Sequence, residues 1–144
     1  MIKKDSILFS PRQIGKKTAP NRFVAQPMEA NDGAEGNVSE RGYARYREMA
    51  RGNWGMVIVE ALSVTRESLA RKNGMVLNRK TVDSFKKLVE VFKKTHPDGL
   101  LLFQITHSGS KSGSSFSRKV RITDNKKNAT TDTGDGTYED GDFF

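Results

Sequence analysis

Two stretches of the chain are almost continuously apolar and then turn polar: Met56 to Ala61, within GNWGMVIVEALSV, and Leu100 to Thr106, within LLLFQITHSG. Such Val/Ile/Leu runs mark strands buried on both faces, the condition of a parallel sheet. A third, shorter strand is predicted from Arg22 to Gln26, where Pro27 stops it because proline has no N–H for a ladder; EANDGAEGN then reads as a loop. Between the strands the period changes from two to that of a helix. Ser39 is a plausible N-cap for a helix that places Tyr43, Tyr46, Met49 and Ala50 on one face before Gly52 ends it. A second helix starts near Thr81 and carries Val82, Phe85, Leu88, Val89 and Phe92, until Pro97 and Gly99 terminate it.

Ahead of these elements, Leu8 to Asn21 holds Pro11, Gly15 and Pro20 and predicts a β-hairpin or an extended entry segment. The connection from Leu62 to Asn78, with Arg66, Glu67, Arg71 and Lys72, predicts an exposed loop. The resulting order, hairpin, β, α, β, α, β, implies a parallel α/β sheet. Past about Gly113 the chain loses apolar period and fills with Asn, Asp, Thr and Gly, which predicts a mostly disordered tail over 114–144 with one candidate strand at Lys119 to Ile122.

Composition narrows the chemistry. With 144 residues and 35% apolar positions, and without a secretory or membrane-spanning stretch, the expectation is one soluble, cytoplasmic domain. The absence of cysteine excludes disulfides, thiolate metal sites and a thiol nucleophile, so redox chemistry would have to come from a bound cofactor. The net charge of +8 resides entirely in residues 1–113. Lys86, Lys87, Lys93 and Lys94 share one predicted helix and read as a helix exterior and not as a nucleic-acid surface. Asp132, Asp135, Asp140 and Asp142 lack calcium-loop spacing and a closing bidentate glutamate, which leaves no metal site.

Polar residues at the C-terminal ends of parallel strands are the ones to examine. Glu60 reads as a structural carboxylate paired with a loop donor. Gln104 either satisfies backbone groups inside the sheet or offers its amide to a ligand. His107 is a weaker ligand candidate, and His96, before Pro97, reads as a solvated helix-end residue.

Five segments in order, LFSPRQIG, PNR, QPM, IVEALSV and QITHSG, spread over about residues 7 to 113, resemble the start of the old yellow enzyme family, the FMN-dependent NAD(P)H oxidoreductases that include 2,4-dienoyl-CoA reductases. The resemblance implies a TIM (β/α)8 barrel with the flavin across its C-terminal mouth. It implies that Gln26, Pro27 and Met28 run beneath the isoalloxazine ring, that Ala61 gives a backbone contact near its edge, and that Gln104 hydrogen-bonds its pyrimidine part. His107 would belong to a loop motif distinct from the substrate-anchoring histidine.

Two positions depart from the family pattern. Glu29 occupies the place where many relatives have a small polar or thiol side chain that tunes the flavin, and a carboxylate pointing inward there would disfavour an anionic reduced flavin. Ser110 stands where the common motif has arginine.

In the chemistry that the resemblance implies, hydride passes from NAD(P)H through the flavin to an alkene conjugated to a carbonyl, and a protein acid protonates the other carbon. The substrate-anchoring pair, the proton donor and the flavin-phosphate site of that family would lie beyond residue 144, so no catalytic residue is expected in this chain. A complete barrel needs eight βα units and about 250 residues. The expectation is therefore a partial barrel: the N-terminal hairpin, about three parallel strands and two helices over 1–113. Its turnover would need further strands, and its open sheet edges would invite self-association. The alternative is a non-catalytic barrel fragment that acts only through association with another chain.

Overall fold

A computed structural model describes residues 6–109 and Ser112. The predicted hairpin is present: β1 (Arg12–Ile14) and β2 (Lys17–Ala19) pair antiparallel. Gly15 stands first in the two-residue turn with φ +58°, a conformation open to glycine without a Cβ penalty.

The main sheet contains β3 (Val24–Ala25), β4 (Met56–Ser63), β5 (Met75–Val76) and β6 (Leu100–Thr106), all parallel. β6 runs along one edge of β4. The other edge is shared: β3 takes it at Met56 and Val57, and β5 takes it at Leu62 and Ser63. Helices α1 (Glu40–Arg51) and α2 (Val82–Thr95) pack on each other and on one face of this sheet.

Alternation along the strands sorts the side chains. Ala25, Val57, Val59 and Leu62 meet Tyr43, Tyr46 and Ala50 of α1 and Phe85, Leu88 and Phe92 of α2 in one core, with Leu101 and Phe103 packed against it. Phe85 and Phe103 meet edge to face at 6.2 Å. The intervening residues Val24 and Leu102 lie on the opposite face and are exposed, Leu102 by 40%.

Both helices start where expected. The Ser39 hydroxyl accepts the Gly42 N–H at 3.1 Å. Gly52 closes α1 in a right-handed conformation, and the left-handed residue is Asn53 at φ +52°. Near the N-terminal ends of the strands, the Asn21 side chain ties two segments together: its Oδ1 accepts from Phe23 and Gly55, and its Nδ2 donates to the Asn53 carbonyl.

Two expectations need correction. The connection from Leu62 to Asn78 is an exposed loop only around Ala70 to Asn73. β4 continues through Ser63, Thr65 and Ser68 form a capping box on a short 3-10 turn, and Ser68, Leu69, Met75 and Val76 are buried. Arg66, Arg71 and Lys72 are exposed, and the buried residues on either side of them tie the connection to the sheet. His96 is not solvated either. It is buried, and its Nε2 donates to the Trp54 carbonyl at 2.8 Å, so it pins the end of α2 to the turn before β4. The expected tail 114–144, with its strand at Lys119 to Ile122, and Ser110 lie outside the described residues. Among the described residues no helix is long and apolar enough to cross a membrane.

Candidate functional site

The pairing of β4 with β6 is regular up to Val59 opposite Phe103 and resumes at Leu62 opposite Ile105. Two residues, Glu60 and Ala61, thus stand against the single residue Gln104, which is a β-bulge. The extra residue of a bulge has no ladder partner, and its amide must be satisfied elsewhere. Here the Glu60 N–H donates to the Tyr46 hydroxyl at 3.0 Å, so a helix side chain completes the strand.

The Glu60 carboxylate is only 4% exposed. Its Oε2 accepts the Ala30 N–H at 2.6 Å, and its Oε1 accepts from Arg45 Nη2 at 2.7 Å. The loop-donor reading of Glu60 therefore agrees with the structure. Arg45 Nη2 also meets Asp32 at 2.7 Å, and the guanidinium lies over the Tyr46 ring at 4.8 Å. Burial works against the Arg45 charge, but the hydrogen bond to Glu60 and the nearby carboxylates outweigh it, and the guanidinium holds its proton more firmly than usual. Burial pushes the Tyr46 hydroxyl up from its ordinary range.

After Ala25 the chain makes a tight turn in which the Met28 N–H donates to the Gln26 carbonyl at 2.9 Å. Pro27 at its centre suits this three-residue turn, because the ring fixes φ close to the value that an inverse γ-turn requires. Since Ala25 packs toward the helices, Gln26 points the other way, to the face of Val24 and Leu102. Gln104 is on that face too, two residues past Leu102. Both amide side chains are exposed and neither makes a hydrogen bond among the described residues. Met28 is 76% exposed, although it is the kind of side chain a core usually takes.

The structure thus brings Gln26, Ala61 and Gln104 to the C-terminal end of one sheet, with Pro27 and Met28 leading away from it. Glu29 and Ala61 line a small cavity of about 40 Å³ together with Ser63, Arg71 and Thr106. The Glu29 carboxylate is paired with Arg71 at 2.6 Å, which places a compensating charge beside it. His107 is exposed, and its Nδ1 accepts the Gly109 N–H at 3.0 Å. The sequence pointed to Tyr46 only as part of an apolar helix face and to Arg45 and Asp32 not at all. Arg45 follows two positions after Tyr43 on a helix already explained by its apolar face, and nothing in its spacing shows which carboxylates it reaches.

Open parallel strands backed by helices, with uncommitted polar groups at their C-terminal ends, define the first part of a (β/α) barrel. Solved structures agree on the fold. An old yellow enzyme homologue from Zymomonas mobilis superposes with TM-score 0.68 at 23% identity, over 77% of this chain and 31% of that one. Morphinone reductase in complex with tetrahydroNAD superposes with TM-score 0.69 at 20% identity, over 78% and 30%. The sequence goes further: residues 7–138 match the model of the NADH:flavin oxidoreductase / NADH oxidase family, and the chain belongs to that family. An NADPH dehydrogenase of Bacillus cytotoxicus is 32% identical over 107 residues, covering 72% of this chain. The matched segment spans about 30% of that relative's length. At the level of the family, FMN is the cofactor and a reduced nicotinamide its reductant.

Proposed function

We propose that this chain supplies the floor and one edge of the flavin pocket in an FMN-dependent oxidoreductase of the ene-reductase type. The observation that carries the reading is the pair of amides, Gln26 and Gln104, without side-chain partners among the described residues, on one face of the sheet to either side of β4. A flat heterocycle with one polar edge needs such groups, because an amide donates to a ring carbonyl and accepts from a ring N–H with the same side chain. The residues fit the group. Gln104 would bond its polar edge, Ala61 would approach with backbone, and Gln26, Pro27 and Met28 would lie beneath it. When bound, FMN would supply hydride transfer between NAD(P)H and an alkene conjugated to a carbonyl. The chain's own part is to bind and orient: the bulge sets the height of Ala61 against Gln104, and the proline turn keeps Met28 out of the core.

Turnover would also call for a proton donor and an anchor for the substrate carbonyl. The outer edge of β6 has no partner strand among the described residues, and Ile105 on it is 53% exposed. Further strands would complete the pocket there. The test is FMN titration of the full chain and of Gln104→Ala, followed by flavin absorbance after gel filtration. Retained yellow colour, with affinity reduced roughly tenfold by the loss of one or two hydrogen bonds, is expected. Protein that stays colourless at excess FMN would overturn the reading and favour a chain that acts only through association with another.

A further inference from the structure

The ion cluster behind the bulge offers more than stability. A single nitrogen, Arg45 Nη2, touches two carboxylates that come from different places: Glu60 on β4 and Asp32 in the loop after Met28. Because Arg45 occupies one oxygen of Glu60, the other is left to hold the Ala30 N–H. The loop is therefore drawn against the end of β4 at two points, Ala30 directly by Glu60 and Asp32 through the Arg45 guanidinium on α1. The same α1 carries Tyr46, whose hydroxyl takes the bulge amide.

We infer that Arg45 is a positioning residue for the flavin site, which sets where the Gln26-Pro27-Met28 turn lies relative to Ala61 and Gln104; the flavin part of this inference rests on the function proposed above. Arg45 acts at one remove, since it does not line the cavity beside Ala61. Without its charge, Glu60 and Asp32 face each other as like charges, and the loop loses its hold on the strand. Lysine keeps the charge but lacks the planar fork, so Arg45→Lys retains part of the effect and Arg45→Met none.

The experiment uses the full chain and two readouts, amide hydrogen exchange and FMN affinity. Arg45→Met is expected to speed exchange at Ala30 at least tenfold, to leave Leu88 and Phe103 protected, and to weaken FMN binding at least tenfold. Arg45→Lys is expected to recover a substantial part of both. Should Arg45→Met not fold, Asp32→Asn and Arg45→Lys carry the test, each with faster exchange at Ala30 and weaker FMN binding. Exchange at Ala30 within twofold of the parent overturns the inference. So does faster exchange with unchanged FMN affinity, or uniform loss of protection that Arg45→Lys fails to rescue. A parent chain that binds no FMN sinks the proposed function instead, and exchange at Ala30 then decides by itself whether Arg45 holds the loop.

Discussion

Replacing Tyr46 with phenylalanine tests the account of the bulge with one atom. The side chain is 1% exposed, and the ring stays, so the core against α2 and β4 is conserved. What goes is the oxygen that accepts the Glu60 N–H at 3.0 Å, and no other acceptor for that amide is present among the described residues. An unsatisfied buried donor costs about 1–3 kcal/mol. That corresponds to a roughly 5- to 150-fold shift in the opening equilibrium. Urea denaturation of Tyr46→Phe should show this loss at neutral pH, and the Glu60 amide should exchange faster by a comparable factor. The pH profile adds a sign. Because the folded-state pKa of Tyr46 is raised, the unfolded chain releases its proton first, so stability is intact below about 10, the unfolded value, and declines as pH rises above it. Tyr46→Phe should remove that component of the alkaline loss. A variant as stable as the parent, with an unchanged Glu60 amide, would refute the reasoning.

Two further outcomes follow from the packing. At Gly55 an added Cβ would come within 2.1 Å of the Asn21 carbonyl oxygen, so Gly55→Ala should displace the Asn21 bridge and cost on the order of 3 kcal/mol, read by thermal melting. Ile105→Lys, on the open edge strand, should reduce self-association in sedimentation velocity with little change in secondary structure, because a charge there opposes edge-to-edge pairing. Unchanged association would show that β6 is not the sticky edge.

The strand and helix order was legible because each element announces itself locally. Met56–Ser63 and Leu100–Thr106 are apolar runs that do form strands, β4 mostly buried and β6 exposed on its outer side, and Ser39 caps α1 as its type predicts. The ends of strands were legible as candidate chemistry for the same reason, since Gln104 interrupts an apolar run. Long-range pairing was not. His96 looked solvated because Pro97 follows it, yet its partner Trp54 lies 42 positions earlier. The Leu62 to Asn78 connection looked exposed because Arg66, Glu67, Arg71 and Lys72 stand in it, although Leu69, Met75 and Val76 are buried. The bulge is invisible in composition, as it depends on a mismatch of one residue between two strands.

One edge of β4 is occupied at its two ends and vacant between them. β3 leaves it after Val57 because Pro27 prevents the strand from going on, β5 rejoins it at Leu62, and no strand residue stands opposite Ile58 to Ala61. The gap is spanned by side chains and a loop instead of a ladder, so on this edge the Glu60, Arg45 and Asp32 ion pairs and the Ala30 amide stand in for backbone pairing.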